Sequence, residues 1–507
     1  MKTNLYKQLL NRLIELKKTP DEIIIETDKQ QYSAGKFYYD ISLLSQYFSR
    51  YATNKIVLIS LSNCYELSVC YIAAIISKTR LVIGQYGMPL PQLNNLAITN
   101  NCDFIIVNDK SEYSRTNINI ITDMKTMTKT LKVKNELDIN SLVFEDKLDQ
   151  FILLSSGTTG VPKCINYSLN KATKMFLTYK EVFQFNSKDK ILIIRPMSYI
   201  SGFAEFFAGF LSNSYLILQD QLTTEATLNH VLKFKPTYTS LPIQILYELI
   251  EKSAKNVDII RDFSCLRILR SGGSYIPEKL ITNLKNIFNI KLITLYGATE
   301  CSPIMINDMT NSNKLTAMGK PLTDIQTKLV IDKKLTQQES VSIGELYIKS
   351  PWQFDGYLDQ DNHLKKTNSW HATGDLVYQD SDGYYWFYAR NNHMIQKGID
   401  NISPVELENA LAQHSNISSV VVCKRKDKIY NYVPVVWYTT FNKKVISKEE
   451  FRKFLKSYIK ESFIPEDYIY TEELPKLVSG KVNIKLIQSM TDQYFSELGV
   501  TKSDSSI

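Results

Sequence analysis

Short runs of β-branched apolar residues alternate along the chain with longer segments in which apolar residues recur every three or four positions. The short runs predict buried strands, and the longer segments predict amphipathic helices that cover a sheet. We predict strands at 55–61, 80–86, 102–107, 190–195, 215–219, 266–269 and 291–295. Helices are predicted at 1–18, 66–77 and 225–234. This alternation is typical of an α/β fold.

The pattern changes to β-rich sequence from Gly344 onward, where Asp382 and Gly383 supply a hairpin turn between aromatic strands. A polar segment at 391–393 follows. Beyond it we predict helices at 403–413 and from 448, with strands at 419–423 and 433–439. The sequence therefore predicts a large N-terminal domain at 1–390, made of layered αβ subdomains plus a β-rich subdomain, and a small α+β C-terminal domain at 391–507.

Composition excludes several other classes. The 507 residues include 60 Lys and Arg against 52 Asp and Glu, and these charges are dispersed, so a nucleic-acid partner is not expected. The first 18 residues lack the uninterrupted apolar stretch of a signal peptide. No run reaches the roughly 18 charge-free apolar residues of a membrane span. We therefore expect a cytoplasmic protein with no membrane span.

The segment with the most specific chemistry is FILLSSGTTGVPK, at positions 151–163. An apolar strand leads into hydroxyl side chains, two glycines and a lysine. Glycines let backbone N–H groups turn toward phosphate oxygens, hydroxyls add donors, and Lys163 adds positive charge. The spacing differs from that of a Walker P-loop. The segment predicts an anion-binding loop, and its alternative is a flexible Gly/Thr surface loop.

Further motifs follow in a fixed order. They are LRSGGSYIP at 269–277, LYGATE at 295–300, GELYIKSP at 344–351, TGD at 373–375, NISPVELE at 401–408 and SGKVN at 479–483. Together they resemble the adenylate-forming superfamily of acyl- and aryl-CoA synthetases, peptide-synthetase adenylation domains and luciferases. The resemblance implies an ATP- and Mg²⁺-dependent ligase that converts a carboxylic acid to acyl-AMP, releases pyrophosphate and passes the acyl group to CoA or a phosphopantetheine thiol.

The resemblance also implies four catalytic residues. Lys481 would neutralise the charge that develops on the α-phosphate, and Lys163 would add charge at the phosphates. Thr299 would donate to the α-phosphate, and Glu300 would be the Mg²⁺ ligand, because a carboxylate oxygen suits this hard cation. Taken singly, a lysine is usually a surface residue and a Thr-Glu pair is usually a helix cap.

The nucleotide site is implied in the same way. Tyr296 would stack on adenine, although a core tyrosine is the alternative, and Asp375 with Arg390 would bind the ribose hydroxyls. The remaining residues implied to bind ATP or AMP are Ser155, Ser156, Gly157, Thr158, Thr159, Gly160, Gly272, Gly273, Ser274 and Gly297.

The segment RPMSYISGF, at 195–203, is implied to contribute the acyl pocket. Amino-acid-activating domains place an Asp at the position of Ile200, and a neutral residue there would leave a buried ammonium unpaired. This disfavours α-amino acids and favours fatty or simple aryl acids. Tyr199 stands where acyl-CoA synthetases commonly have His. The alternative to a pocket role is that Tyr199 is only a core aromatic residue. The predicted pocket residues are Tyr199, Ile200, Ser201, Gly202 and Ala298.

The resemblance further implies that the C-terminal domain is mobile. It would present Lys481 first and then rotate about a hinge at Asn392, so that the loop near Gly398 lines a tunnel for the thiol. Ile399 stands where the family generally has Gly, and Cys164 and Asn392 are milder departures. A branched side chain in that tunnel bears on thiol transfer rather than on adenylation.

The expected partners are a small-molecule carboxylic acid and a thiol. A predicted helix at 451–460 would place four basic residues opposite its apolar side: Arg452, Lys453, Lys456 and Lys460. This basic face could bind an acidic acyl or aryl carrier protein, or it could simply be exposed to solvent. Two alternative functions remain: a stand-alone amino-acid adenylation enzyme, and a non-catalytic paralogue that binds a nucleotide or an acyl-adenylate.

Overall fold

The structure is a computed structural model of the chain. It describes residues 5–52, 54–108, 119–121, 137, 139, 142, 148–155, 163–273, 276–331, 341–359, 362–367, 369–398, 400–477 and 481–498.

The α-helices of the described residues include those predicted at 1–18, 66–77, 225–234, 403–413 and from 448. They are α1 (Leu5–Lys18), α2 (Ala34–Tyr51), α3 (Tyr65–Ser77), α4 (Leu90–Thr99), α5 (Leu169–Phe183), α6 (Ile200–Phe210), α7 (Thr224–Phe234), α8 (Ile243–Lys255), α9 (Asp258–Phe263), α10 (Glu278–Phe288), α11 (Pro404–Ala412), α12 (Lys448–Leu455) and α13 (Ile484–Glu497). Short 3₁₀ turns lie at Ser312–Lys314, Asn391–His393 and Glu461–Phe463.

The strands of the described residues form four sheets. The first half of the chain gives β1 (Ile23–Thr27), β2 (Gln31–Ser33), β3 (Ile56–Ser60), β4 (Arg80–Ile83), β5 (Phe104–Val107), β6 (Asn119–Ile121), β7 (Asp149–Ser155), β8 (Lys163–Ser168), β9 (Lys190–Ile193), β10 (Tyr215–Leu218) and β11 (Tyr238–Ser240). The second half gives β12 (Ile268–Gly272), β13 (Leu292–Ala298), β14 (Cys301–Asn307), β15 (Lys320–Pro321), β16 (Gln326–Ile331), β17 (Gly344–Lys349), β18 (Gly356–Leu358), β19 (Leu364–Lys366), β20 (His371–Gln379), β21 (Tyr385–Arg390), β22 (Ile395–Lys397), β23 (Asp400–Ile402), β24 (Ile417–Asp427), β25 (Asn431–Thr440) and β26 (Asp467–Tyr470).

Two large sheets make up most of the N-terminal region. As far as the described residues show, one has nine strands in the order β15-β14-β13-β12-β11-β9-β10-β1-β2, with the six strands from β13 to β1 parallel. The other has eight strands in the order β19-β18-β8-β7-β4-β3-β5-β6. Because the carboxyl ends of parallel strands share one edge, this topology places the segments after β9, β11, β12 and β13 side by side.

Two smaller sheets complete the fold over the described part of the chain. The strands β16, β17, β20 and β21 form an antiparallel sheet that begins near the predicted change to β-rich sequence. The strands β23, β22, β25 and β24, with β26 beside β25, form the last sheet. Its faces carry core clusters drawn from residues 395–495, including Leu407, Val436, Phe451 and Trp437.

The largest core lies between the two large sheets and is rich in aromatic rings. Phe207 of α6 stacks on Phe176 of α5 with ring centroids 4.1 Å apart, and Phe203, Phe151 and Tyr71 pack around this pair. Aromatic side chains bury large apolar areas, so this cluster fixes α6 against the sheets. The position of α6 matters because its first turn carries the predicted acyl-pocket residues.

The α/β fold class is confirmed, and the predicted strands all appear within a few residues of their expected limits. One helix is shorter than predicted, since α12 ends at Leu455 rather than at Lys460. The core accepts Phe451 and Leu455, whereas Tyr458 is exposed in the turn that follows. No helix of the described residues is both long enough and apolar enough to cross a membrane.

Candidate active site

The predicted site residues gather at the carboxyl edge of the nine-stranded sheet. Gly272 ends β12, and Tyr296, Gly297 and Ala298 end the neighbouring β13. Thr299 and Glu300 form the turn between β13 and β14, so this pair belongs to a hairpin and not to a helix cap. This edge is where open α/β sheets bind ligands.

Tyr296 and Asp375 lie in direct contact, although they belong to different sheets. The Tyr296 hydroxyl donates to Asp375 Oδ2 at 2.5 Å, and Arg390 Nε lies 2.8 Å from Asp375 Oδ1. Arg390 also donates to the Thr373 carbonyl at 3.0 Å. Burial raises the pKa of Asp375, while Arg390 opposes this rise. Asp375 Oδ1 is buried and lacks a well-aligned hydrogen bond within the described part of the chain, which leaves an acceptor for a ligand hydroxyl.

Glu300 lies beside the strands that flank the predicted phosphate loop. The Tyr357 hydroxyl donates to Glu300 Oε1 at 2.8 Å, and Lys163 Nζ lies 5.2 Å from the centre of the Tyr357 ring. Ser155, at the end of β7, pairs with Lys163 at the start of β8. The predicted residues Ser156, Gly157, Thr158, Thr159 and Gly160 lie outside the described residues.

His371 is a neighbour of this group that the sequence analysis missed. Its ring packs edge-on against Phe354 at 5.2 Å, and Phe354 in turn contacts the Tyr357 ring at 4.9 Å. Burial lowers the pKa of His371, an effect that Glu300 opposes and Lys163 reinforces. The only sequence signal was its position four residues before Asp375.

Lys481 reaches the same edge from the C-terminal region. A Cβ atom placed on Gly273 would lie 3.0 Å from both Cε and Nζ of Lys481. Gly273 also has φ +83°, a left-handed conformation that favours glycine. Burial lowers the pKa of Lys481 to about 8, and Arg195, Arg390 and Arg270 add to the effect. The ammonium therefore lies in a strongly positive environment. Ser274 is outside the described residues.

The predicted acyl-pocket segment forms the start of α6. Tyr199 is its N-cap residue, and Ile200 and Ser201 are half-buried in its first turn. A Cβ atom on Gly202 would lie 2.4 Å from the Arg195 carbonyl oxygen, so glycine is required where this turn crosses the backbone after β9. The contact fixes the start of α6 directly over Arg195.

A buried charge network, which the sequence analysis also missed, lies below this contact. Arg270 Nη1 donates to Glu205 Oε1 at 2.5 Å and to Ser240 Oγ at 3.1 Å. The Tyr238 hydroxyl donates to Glu205 Oε1 at 3.0 Å, and Arg195 Nε donates to Ser240 Oγ at 2.9 Å. The available sequence signal was an arginine at or just after the end of an apolar strand, in ILIIRP and in LRILRSGG.

The predicted hinge residue Asn392 and the predicted tunnel residue Gly398 contact residues of the C-terminal region. Asn392 is exposed in a 3₁₀ turn, and its carbonyl accepts from Lys424 Nζ at 3.3 Å. Gly398 donates its backbone N–H to the Tyr430 carbonyl at 2.7 Å. The structure thus brings Lys481 to the site, whereas Gly398 contacts Tyr430, within the C-terminal region. Ile399 lies outside the described residues.

The profile of the AMP-binding enzyme family matches residues 14–358, which is more than half of the chain. The chain belongs to the AMP-binding enzyme family. Among curated relatives, the 2-succinylbenzoate–CoA ligase of Oceanobacillus iheyensis is 24% identical over 431 residues, covering 83% of this chain and 86% of the relative.

Solved structures show the same fold for this AMP-binding enzyme. The o-succinylbenzoate CoA synthetase of Bacillus subtilis, in complex with its acyl-adenylate intermediate, superposes with a TM-score of 0.79 at 20% identity, covering 94% of this chain and 98% of the neighbour. The same enzyme in complex with ATP and a magnesium ion gives a TM-score of 0.79 at 21% identity, covering 93% and 98%.

The residues of this AMP-binding enzyme fit ATP and Mg²⁺ on chemical grounds. The buried acceptor on Asp375 suits a sugar hydroxyl, and Lys163, Arg390 and Lys481 supply positive charge. Glu300 offers a carboxylate beside them, and in the described residues no group of three or more acidic, His or Cys side chains forms a complete metal cage. One carboxylate is appropriate here, because Mg²⁺ at nucleotide sites is held mainly by phosphates and water.

Proposed function

We propose that this AMP-binding enzyme is an ATP-dependent acid–thiol ligase that activates a non-amino carboxylic acid as acyl-AMP and transfers the acyl group to CoA. The observation that carries the proposal is the position of Lys481. Its ammonium lies against Gly273, at the sheet edge that also carries the Tyr296, Asp375 and Arg390 cluster. Curated relatives named as CoA ligases support the thiol acceptor.

The nucleotide is bound by groups that the fold holds in place. Asp375 accepts the ribose hydroxyls, Arg390 orients this carboxylate, and Tyr296 stacks on the adenine. The backbone of Gly272 and Gly273 lines the same cleft. Each of these groups is fixed by a contact to another sheet or to a neighbouring strand, so little reorganisation is needed when ATP binds.

Catalysis depends on charge rather than on a nucleophilic side chain. The substrate carboxylate attacks the α-phosphorus of ATP, the bond to the β-phosphate breaks, and pyrophosphate leaves with its electron pair. Lys481 and Thr299 stabilise the negative charge on the α-phosphate oxygens, and Lys163 stabilises the departing phosphates. Glu300 would hold Mg²⁺, whose positive charge would offset that of the triphosphate.

The second half-reaction requires a different arrangement of the C-terminal region. We propose a boundary at 390/391, with Asn392 as the hinge of a mobile domain whose rotation removes Lys481 and brings Gly398 to line a thiol tunnel. Separate hydrophobic clusters beyond Ile395 support a domain that moves as a unit. In this second step the thiol attacks the acyl carbon and AMP leaves.

A carrier protein is the alternative thiol source. Its proposed docking face, on α12 and the turn after it, carries Arg452 and Lys456, which lie 3.7 Å and 2.9 Å from Glu461 Oε1. This carboxylate neutralises part of the basic face, so the structure favours free CoA as the acceptor. Substitution of Arg452 and Lys456 by Glu would slow transfer to a carrier protein selectively if a carrier were used.

The test is pyrophosphate release with ATP, Mg²⁺ and a panel of aryl, aliphatic and amino acids, with and without CoA. Acid-dependent release and CoA-stimulated turnover are expected. Lys481→Ala should lower the rate of pyrophosphate release by about 100- to 1,000-fold and preserve ATP binding. Lys476→Ala is the matched control, because Lys476 lies on the same segment but pairs with Glu473 at 2.9 Å.

Two results would overturn the proposal. Release with amino acids alone would identify an amino-acid adenylation enzyme. ATP binding without release for any acid would identify the non-catalytic paralogue.

A further inference from the structure

Helix α6, which begins with predicted acyl-pocket residues, and strand β12, which ends at the predicted nucleotide-site residue Gly272, share one buried charge network. Glu205 lies on α6, one turn beyond the predicted pocket residues, and Arg270 lies on β12, two residues before Gly272. Arg195 joins them through Ser240 Oγ, which accepts from both guanidinium groups. The network therefore contacts Gly272, next to the glycine against which Lys481 lies.

The charges of this network do not balance. Glu205, Arg270 and Arg195 are 0%, 3% and 5% exposed. Glu205 pairs with Arg270, whereas Arg195 has no carboxylate partner in the described ranges of the chain. Arg195 instead donates from Nη2 to the Leu241 and Gly272 carbonyls, each at 3.1 Å. A net charge of one positive unit is thus enclosed, and an enclosed charge is costly unless a partner of opposite sign arrives.

Two atoms of the network are also left without partners. Arg270 Nε and Glu205 Oε2 are buried and have no hydrogen bond to any described residue. Buried polar atoms are nearly always paired, so such atoms indicate a missing ligand or water. A neutral hydrocarbon or an unsubstituted aryl ring would satisfy neither the open donor nor the excess charge.

We propose that the acyl substrate carries a second anionic group, and that Arg195 and Arg270 bind this remote group while the first carboxylate reacts at Lys481. This inference rests on the proposed function and narrows its substrate class to dicarboxylic acids and similar dianions. A guanidinium suits this task because its planar donors bind carboxylate oxygens in pairs. Glu205 holds Arg270 in position and keeps the free pocket at one positive charge.

The test compares matched acids in the pyrophosphate-release assay of the wild-type enzyme. Straight-chain dicarboxylic acids from succinate to suberate, and phthalate and homophthalate, are each paired with the monomethyl ester of the same acid. At the best chain length, kcat/KM for the diacid should exceed that of its monoester by about 10- to 100-fold, because the ester loses charge-assisted hydrogen bonds. Equal values, or a preference for monoesters and fatty acids, would overturn the inference while leaving the ligase function in place.

A variant locates the remote subsite. Arg195→Gln retains hydrogen-bond donors but removes the unpaired charge, so the diacid-to-monoester ratio should fall toward one. Arg267→Gln is the matched control on the segment before β12, because Arg267 pairs with Asp189 at 2.7 Å, outside the network. The control should keep the wild-type ratio. An unchanged ratio in a folded Arg195→Gln enzyme would overturn the assignment of this residue.

A binding measurement separates the two possible failures. If no acid supports pyrophosphate release, the proposed function fails, and calorimetric titration of wild-type protein with glutarate and with monomethyl glutarate tests the subsite alone. Tighter binding of glutarate, lost in Arg195→Gln, would support an anion subsite without the ligase reaction. Equal binding of both compounds would overturn the subsite as well.

Discussion

Two of the buried carboxylates among the described residues, Asp375 and Glu205, each accept from a tyrosine hydroxyl and pair with an arginine. Asp375 contacts Tyr296 and Arg390, and Glu205 contacts Tyr238 and Arg270. The first cluster lies at the junction of two sheets, with Arg390 48% exposed. The second is enclosed, with Arg270 only 3% exposed.

The difference lies in how the positive charge is balanced. Solvent reaches Arg390, so the Asp375 cluster tolerates changes in its charge and leaves an acceptor open for a neutral sugar hydroxyl. Solvent does not reach the Glu205 cluster, and Arg195 adds a positive charge that has no carboxylate partner of its own among the described residues. The same pair of side chains thus suits a neutral partner in one place and an anionic partner in the other.

The largest expected effect is the loss of stability when the carboxylate of the enclosed cluster is removed. Glu205→Gln leaves two buried guanidinium groups without a carboxylate, so the free energy of unfolding should fall by about 3–5 kcal/mol. Asp375→Asn should cost only about 1 kcal/mol, because solvent compensates Arg390. Urea unfolding of both variants measures the contrast, and equal losses would contradict it.

The next largest effect is on nucleotide binding, where Asp375→Asn should do more damage than Glu205→Gln. Asp375→Asn should raise KM for ATP by about 10- to 100-fold, because the charged acceptor of the ribose hydroxyls is lost. Glu205→Gln, assayed in the absence of denaturant at a temperature where it is folded, should alter KM for ATP far less. Similar changes in KM for both variants would show that the two clusters share one ligand.

A pH profile tests the charges that surround Lys481. Its pKa is lowered to about 8, so the ammonium is present below that pH and is lost above it. The value of kcat/KM for adenylation should therefore fall above pH 8 by about tenfold per pH unit. Lys481→Arg should remove this alkaline limb at a lower overall rate, since arginine stays protonated. A limb that persists in Lys481→Arg would assign it to another group.

The smallest effect concerns the two tyrosine hydroxyls. Tyr296→Phe removes one hydrogen bond to Asp375 and should raise KM for ATP by about 3- to 10-fold. Tyr238→Phe removes the equivalent bond to Glu205 and should lower the free energy of unfolding by about 1–2 kcal/mol without that change in KM. For both variants, KM is measured by titration with ATP, and the free energy of unfolding is measured in urea on the same preparations.

The sequence predicted those parts of the fold that depend on local pattern. Apolar runs specified strands such as Ile56–Ser60. The predicted start of α12 at 448 is also confirmed, and there the Ser447 side chain accepts from the Glu450 N–H. The end of α12 was wrong because no Gly or Pro follows Leu455 directly, and only tertiary packing decides that Tyr458 stays outside the core.

In the candidate site, too, some residues could be predicted from sequence motifs and others could not. Ordered motifs located Tyr296, Asp375 and Lys481, although their roles stay predictions. No motif located the Glu205 network, because its members come from a helix and separate strands far apart in the chain. A single arginine at the end of an apolar strand is unusual and can be seen in the sequence. Only the parallel order of β9, β11 and β12 shows that two such arginines meet at one serine.

The anion subsite proposed at Arg195 would also link substrate binding to the protonation of Lys481. Of the charged groups that lower the pKa of Lys481, Arg195 has the largest effect. An anion that binds at Arg195 offsets this repulsion, so its binding and the protonation of Lys481 favour each other by the same free energy. Near pH 8 we then expect the free enzyme to be incompletely charged at Lys481 and to take up a proton as the acid binds. On this proposal, binding of the acid favours the charged form of the lysine that would activate it.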